Sequence, residues 1–149
     1  MKLLLVCTSG GHFSTMKSLK PFWSCHQRVW VSDLKKDTEV LQDTETVHWF
    51  LHRTPRDLLG LIFDIPRAIK ILRLEQPDLI LSTGASISVS FAFLAKLLSI
   101  KFVYVESISR SQELSLSGRL VYPVCDEFYV QWASLCKKYP KATFKGYAS

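Results

Sequence analysis

Six short apolar segments recur along the chain, and stretches with helical spacing separate most of them. Branched and aromatic side chains dominate these segments, as in buried β-strands: 3–7, 28–32, 46–50, 78–82, 102–105 and 127–131. Helical spacing is found at 12–20, 34–42, 56–75, 86–99 and 114–122. Strands that are apolar on both faces and alternate with helices indicate a parallel sheet covered on both faces. We therefore predict an α/β, Rossmann-like fold in a single domain, residues 1–149.

The composition limits the ligands that such a domain fits. Of the 149 residues 48% are hydrophobic, and the net charge is +6. The hydrophobic content indicates a folded chain. The charge suits either a simply solvated basic surface or contact with phosphorylated substrates, lipid headgroups or nucleic acid. The four cysteines lack CxxC spacing and histidines at ligand spacing, so neither zinc nor a redox dithiol is supported (Cys7, Cys25, Cys125 and Cys136). We expect no metal and no cofactor.

No segment has the properties of a membrane span or a secretory signal. Every apolar run falls short of the ~18 residues that a spanning helix needs. The first residues also lack the small-residue cleavage site of a signal peptide. We therefore expect the chain to be cytoplasmic and to lie on a membrane without crossing it.

Three polar turns follow three of the predicted strands. They are SGGH (9–12), STGAS (82–86) and ESISRS (106–111). Ligands of open parallel sheets bind beyond the carboxyl ends of the strands. We therefore expect the three turns to converge on one site.

The first turn carries the clearest chemistry. Gly10 and Gly11 permit a sharp turn and expose amide N–H groups at a helix start, which favours an anion. His12 follows in the first helical turn, where the dipole favours neutral imidazole. It is a candidate general base, or it only caps the helix or bonds to a neighbouring loop. The glycines of a dinucleotide fingerprint and the Gly-Lys-Ser/Thr of a P-loop are absent.

The other two turns allow both functional and structural interpretations. Gly84 permits a close approach or an unusual backbone conformation, and Ser86 is placed to cap the next helix. Both also fit an ordinary strand-to-helix turn. Glu106 and Arg110 either clamp a polar substrate or pair with each other to order the loop.

The predicted helix 56–75 is apolar almost all round. A helical wheel assigns to its outer face Arg56, Leu59, Gly60, Phe63, Arg67, Lys70 and Leu74. It assigns to the inner face Leu58, Ile62, Ile65, Ile69 and Leu72. Apolar side chains beside Arg67 and Lys70 are typical of a membrane-surface helix. Packing against another chain is the alternative.

Taken together, the motifs resemble the Alg14-like family, with its bacterial PssD-type members and its relation to MurG glycosyltransferases. The resemblance covers nearly the whole chain. It rests on GGH (10–12), DLILSTGASISV (78–89), VYVESISR (103–110) and LSLSGRLVYPVCDEFYVQW (114–132). The most specific part is ESISR followed by the last of these segments.

The resemblance implies a split, inverting GT-B glycosyltransferase of which this chain is the N-terminal, acceptor-binding lobe. A partner chain would supply the UDP-sugar-binding lobe, and the acceptor would be a polyprenyl-diphosphate-linked saccharide. This chain would be inactive alone and attached peripherally to the cytoplasmic face, because it lacks the N-terminal anchor of eukaryotic members. No nucleic acid is expected.

The resemblance also assigns residues. His12 would deprotonate the acceptor hydroxyl. The acceptor would be bound by Gly10, Gly11, Gly84, Ser86, Glu106, Ser107 and Arg110. The membrane surface would be formed by Leu59, Phe63, Arg67 and Lys70. Two other functions remain open: a non-catalytic tether for the partner, and a stand-alone nucleotide-binding enzyme. Asp33 is the only nearby acidic candidate for a ribose ligand of such an enzyme.

Overall fold

The computed structural model describes residues 1–54 and 56–148, and a seven-stranded parallel sheet forms its centre. The strands are β1 (Lys2–Val6), β2 (Gln27–Asp33), β3 (Val47–Phe50), β4 (Leu79–Ser82), β5 (Lys101–Val105), β6 (Glu127–Val130) and β7 (Ala142–Phe144). Across the sheet they follow the order β3-β2-β1-β4-β5-β6-β7, and every neighbouring pair is parallel. The predicted Rossmann-like α/β fold is confirmed. Strand β7 is short and was not predicted.

Seven helices connect the strands in the described residues. They are α1 (Gly11–Ser18), α2 (Lys20–Trp23), α3 (Leu41–Thr44), α4 (Leu58–Glu75), α5 (Ile87–Leu97), α6 (Leu116–Val121) and α7 (Leu135–Lys138). The predicted helix 34–42 is wrong, because residues 34–40 are not helical. There Thr38 Oγ1 donates to the carbonyl of Asp33 at 2.7 Å and accepts from the Lys35 N–H at 2.9 Å, and these bonds stabilise a turn. None of the helices is long and apolar enough to cross a bilayer in the part of the chain that the structure describes.

Apolar residues of the strands alternate between two clusters, one on each face of the sheet. In β1, Leu4 and Val6 join the cluster covered by α4, α5 and α6. Leu3 and Leu5 join the opposite cluster, which contains Phe13 of α1 together with residues of α2 and α3. This alternation is the period-two geometry of a strand buried on both faces. Helices therefore lie on both faces of the sheet, as predicted.

The inner face of α4 differs from the predicted wheel. Its buried residues are Gly60, Leu61, Asp64, Ala68, Ile71 and Leu72. Gly60 was predicted to face outward, whereas Leu58 and Ile62, predicted to be inward, are 59% and 61% exposed. The reason is Asp64, which turns inward and accepts a hydrogen bond from Arg53 Nε at 3.0 Å. A wheel that counts only apolar residues cannot anticipate a charged residue on the inner face.

The outer face of α4 keeps the exposed apolar residues that the sequence predicted. Leu59, Phe63 and Leu74 are 70%, 74% and 67% exposed. The guanidinium of Arg67 lies over the ring of Phe50, the last residue of β3, with 4.5 Å from Cζ to the ring centroid. The first turns of α4 lie beside the segment that follows β3, where Asp64 accepts from Arg53 Nε. The exposed apolar residues at this end of the helix form a rim near the carboxyl edge of the sheet: Leu58, Leu59, Ile62 and Phe63.

Candidate active site

The three polar turns meet at the carboxyl ends of β1, β4 and β5, which are neighbours in the sheet. They contribute to a cleft of about 880 Å³. Its lining includes Gly11, His12, Ala85, Ser107, Ser109 and Arg110. The remaining lining residues come from the segment before α4 and from the start of α6: Thr54, Arg56, Leu114, Ser115, Leu116, Ser117 and Arg119. The expected convergence of the three turns is confirmed.

His12 is held by two hydrogen bonds to Thr83, a fully buried residue that follows β4. Its ring Nδ1 lies 2.8 Å from the Thr83 carbonyl oxygen, and Thr83 Oγ1 donates to the His12 carbonyl oxygen at 2.6 Å. Because a carbonyl oxygen only accepts, Nδ1 carries the proton. The lone pair of the neutral ring is therefore on Nε2. The histidine is half-buried and lines the cleft, and in the described residues its Nε2 makes no hydrogen bond.

Gly84 provides the space that the His12 ring occupies. Its φ is +121°, in the region that favours glycine. A Cβ at this position would stand 2.5 Å from His12 Nδ1. The His12 ring therefore packs against the backbone of Gly84. Gly84 itself is not among the residues that line the cleft.

Two backbone N–H groups of the glycine turn donate hydrogen bonds to aspartates of this chain. The Ser9 N–H donates to Asp33 Oδ1 and the Gly10 N–H donates to Asp37 Oδ2, both at 2.6 Å. Asp33 also accepts from Ser9 Oγ at 2.9 Å, and His52 Nδ1 lies 3.0 Å from it. In the described residues, the N–H groups of Gly11 and His12 have no acceptor, as is usual in the first turn of a helix.

Glu106 has a structural environment that the sequence did not reveal. Its side chain is fully buried, and it accepts hydrogen bonds of 2.9–3.0 Å from the Ser107 N–H and from the N–H and hydroxyl of Ser115. A Cβ on Gly118 would collide with this carboxylate. Of the two interpretations left open for Glu106, the pairing with Arg110 is not found among the described residues, because backbone N–H groups and the Ser115 hydroxyl satisfy the carboxylate. Glu106 is also not among the residues that line the cleft. Glu106 thus holds the loop that presents Ser107 and Arg110 to the cleft.

Ser86 also differs from expectation. Its side chain makes no capping bond at the start of α5 and donates instead to the Arg53 carbonyl oxygen at 3.3 Å. It is buried and does not line the cleft. Its backbone is already helical, with φ −60° and ψ −34°, whereas a capping residue adopts an extended conformation.

Two arginines of the cleft were missed as site residues. Arg56 precedes α4 and Arg119 lies on α6, and both line the cleft together with Arg110. No carboxylate is found among the described residues that line it. The sequence signals were a basic residue two positions before α4 and the GRL triplet inside the LSLSGRL motif.

Buried groups beside the cleft remain protonated. Burial raises the pKa of the Cys7 thiol, so Cys7 is not a thiolate nucleophile. Burial likewise raises the pKa of Tyr104, whose hydroxyl has no hydrogen-bond partner in the described residues. That hydroxyl lies 3.4 Å from the position of a Cβ on Gly84, so it is a close neighbour of the His12 ring.

The rest of the described chain contains no metal centre and a second cavity without predicted site residues. Residues 1–54 and 56–148 contain no group of three or more His, Cys, Asp or Glu side chains arranged to hold a metal ion. A second cavity, of about 570 Å³, lies on the face of the sheet opposite α4 and contains none of the predicted site residues. The chemistry that the structure brings together is therefore that of the cleft around His12.

Comparisons with known proteins agree with the motifs. The family described as "Oligosaccharide biosynthesis protein Alg14 like" matches residues 56–148. The UDP-N-acetylglucosamine transferase subunit ALG14 of Yarrowia lipolytica is 31% identical, over 97% of this chain and 80% of the relative.

Solved structures show what the fold is similar to. MurG of Acinetobacter baumannii superposes with a TM-score of 0.73 at 13% identity, over 98% of this chain and 45% of the MurG chain. A UDP-N-acetylglucosamine 2-epimerase of Rickettsia bellii gives the same TM-score at 14% identity, over 98% of this chain and 44% of its own. The fold is that of one GT-B lobe, and by itself it does not select the chemistry. The matching family and the Yarrowia lipolytica relative identify this chain as a member of the Alg14-like family of oligosaccharide biosynthesis proteins.

Proposed function

We propose that this chain is the acceptor-binding subunit of a two-chain, inverting glycosyltransferase. It would transfer a sugar, N-acetylglucosamine by analogy with the names of its relatives, from a UDP-sugar to a polyprenyl-diphosphate-linked saccharide. The observation that carries the proposal is the state of His12. Its proton is fixed on Nδ1 by Thr83, and Nε2 is left as a base on the wall of a basic cleft.

His12 would act as the general base of the transfer. Nε2 would take the proton of the acceptor hydroxyl while that oxygen attacks the anomeric carbon of the donor sugar. The bond from the anomeric carbon to the UDP oxygen would break, and UDP would leave with the electron pair. The Thr83 carbonyl oxygen, which accepts from Nδ1, would stabilise the imidazolium that forms. A positioned base of this kind contributes about 10²- to 10⁴-fold to the rate.

The donor would be bound by a partner chain. The candidate ribose ligand of this chain, Asp33, is 2% exposed, and its oxygens are engaged by Ser9 and His52. This environment counts against a stand-alone nucleotide-binding enzyme. The chain would therefore be inactive without a partner that supplies a UDP-sugar-binding lobe.

The rim of α4 would rest on the membrane. The first helical residue of α4, Leu58, lies two positions after Arg56, which lines the cleft. This end of the helix exposes four apolar side chains: Leu58, Leu59, Ile62 and Phe63. The next turns of the helix carry the exposed basic residues Arg67, Lys70 and Arg73. The apolar side chains would insert into the membrane surface, and each basic residue near anionic lipid would add roughly 1 kcal/mol of binding free energy. Together these interactions would hold the chain at the cytoplasmic face. The mouth of the cleft would then open at the lipid surface, where a polyprenyl-linked acceptor lies.

A tether without catalytic function is the second candidate, and one observation favours it. The two bonds between His12 and Thr83 join α1 to the turn after β4, which is also what a purely structural histidine would do. A tether would recruit the partner to the membrane but would not need the free Nε2.

Reconstitution with the partner chain tests these candidates. Sugar transfer from UDP-N-acetylglucosamine to a polyprenyl-diphosphate-linked sugar is measured in vesicles with this chain alone, the partner alone and both. Activity only in the mixture, lowered at least about 10²-fold by His12→Ala and unchanged by the control His26→Ala, is the expected result. His26 is remote from the cleft and contacts Phe22. An unimpaired His12→Ala mixture would establish the tether, and transfer by this chain alone would contradict both candidates.

A further inference from the structure

Three arginines from separate segments line the His12 cleft. Arg56 lies before α4, Arg110 lies in the loop after β5, and Arg119 lies on α6. In the part of the chain that is described, Arg56 and Arg110 make no salt bridge. Arg119 has one long contact, 3.5 Å to Glu113, whose carboxylate also accepts from Tyr139 at 2.7 Å. Three guanidinium groups on the lining of one cleft give it a positive potential, which favours an anionic ligand.

The glycine turn is the competing anion site, and its surroundings are acidic. The N–H groups of Ser9 and Gly10 already donate to the carboxylates of Asp33 and Asp37. A diphosphate on these amides would have to displace Asp37 and would then lie beside the buried charge of Asp33. Like charges at that distance disfavour binding. Only the N–H groups of Gly11 and His12 remain open, at the side of the turn that lines the cleft.

From these two observations we propose that Arg56, Arg110 and Arg119 bind the diphosphate of the acceptor. The inference rests on the proposed function and names the group that this part of the cleft recognises. Guanidinium groups bind phosphate oxygens through paired, charge-assisted hydrogen bonds. The acceptor therefore lies with its reacting sugar hydroxyl at His12 and its diphosphate at the three arginines.

The loop that carries Arg110 is ordered before any ligand binds. The buried Glu106 carboxylate holds the loop at Ser107 and Ser115. Trp132 Nε1 donates to the Ile108 carbonyl oxygen at 2.6 Å, two residues before Arg110. Little backbone entropy is lost when the arginine binds, and such preorganisation increases affinity.

An isothermal calorimetric titration of the isolated chain with inorganic pyrophosphate at low salt tests the site without requiring catalysis. Each of Arg56→Gln, Arg110→Gln and Arg119→Gln is expected to weaken binding about tenfold, as for loss of a hydrogen bond to a charged group. The matched control is Arg73→Gln, because Arg73 is exposed and lies near the far end of α4. We expect this variant to change the affinity less than about twofold, since a distant surface charge is screened. Melting curves confirm that each variant is folded.

Several outcomes would overturn the assignment. If Asp37→Asn strengthens pyrophosphate binding while the three arginine variants bind as the wild type does, the glycine turn is the anion site. Equal weakening by Arg73→Gln would mean that net charge alone attracts the ligand. The absence of pyrophosphate binding at millimolar concentration would also overturn the assignment.

The same titration separates this inference from the proposed function. His12→Ala is expected to bind pyrophosphate as the wild type does, although it loses transfer. If the reconstituted pair transfers no sugar but binding still depends on the arginines, the proposed function fails and the anion site remains. If transfer depends on His12 but the three arginine substitutions leave pyrophosphate binding unchanged, the assignment of the anion site is wrong and the proposed function stands.

Discussion

Replacing Gly84 by alanine perturbs His12 without removing it. The new Cβ would stand 2.5 Å from His12 Nδ1, whereas ordinary contact begins near 3.4 Å, so the ring has to move by about 0.9 Å. The 2.8 Å bond from Nδ1 to the Thr83 carbonyl oxygen would then lengthen or break. A displacement of about 1 Å at a reacting group costs on the order of 10²-fold in rate. The φ of +121° adds about 1–3 kcal/mol of backbone strain.

The first assay is sugar transfer by the reconstituted pair, with kcat and the acceptor KM measured separately. The second is urea unfolding of the isolated chain, which gives the free energy of unfolding. We expect Gly84→Ala to lower kcat by about 10²-fold with little change in KM, because the three arginines of the cleft are untouched. The expected loss in the free energy of unfolding is about 1–3 kcal/mol.

Gly146→Ala is the matched control for backbone strain. Gly146 also has a positive φ, +109°, but a Cβ there would meet no atom within 4 Å. Its variant is expected to lose stability and keep its transfer rate. A folded Gly84→Ala variant with wild-type kcat would show that the position of the His12 ring does not affect the rate, contrary to its role as the base.

Three other predictions concern Tyr104, Phe63 and Glu75. Tyr104→Phe removes an unpartnered buried hydroxyl, so the free energy of unfolding in urea should stay the same or rise by roughly 1 kcal/mol, and a loss would reveal a hydrogen bond that the structure lacks. Phe63→Glu should weaken cosedimentation with anionic vesicles by tenfold or more, while Val40→Glu, also exposed but on the β2–α3 loop, should not; equal effects would contradict a membrane face on α4. Hydrogen bonds from Lys2 and then His48 lower the pKa of Glu75, so its stabilising contribution is present above the carboxyl's unfolded pKa and is lost as the pH falls through the lower folded value. Glu75→Gln should flatten the acid limb of the stability–pH curve, and an unchanged limb would contradict the pairing.

The fold could be predicted because strands and helices have different apolar periods. Segments such as LLLV in β1 are apolar on both faces, which is what a central parallel strand requires. The convergence of the turns then followed from topology, because parallel strands end at one edge. Strand β7 was missed because its three residues, ATF, are too short to show a period.

The contacts inside the site could not be predicted, because they depend on how irregular loops fold back on themselves and on the neighbouring helices. The carboxylate of Glu106 is satisfied by Ser115, nine residues later, and not by the nearby Arg110. Asp64 on the inner face of α4 is explained only by Arg53, which lies outside the helix. Arg119 reaches the cleft because α6 packs beside the turn after β5. None of these contacts leaves a periodic signal in the sequence.

The most direct test of the central claim is the single-turnover rate of sugar transfer by the reconstituted pair with His12→Ala, with and without added imidazole. If His12 Nε2 is the base, the rate falls by about 10²- to 10⁴-fold and free imidazole restores part of it, because the small base enters the space that the ring vacates. A folded His12→Ala pair that transfers sugar at the wild-type rate would contradict the claim.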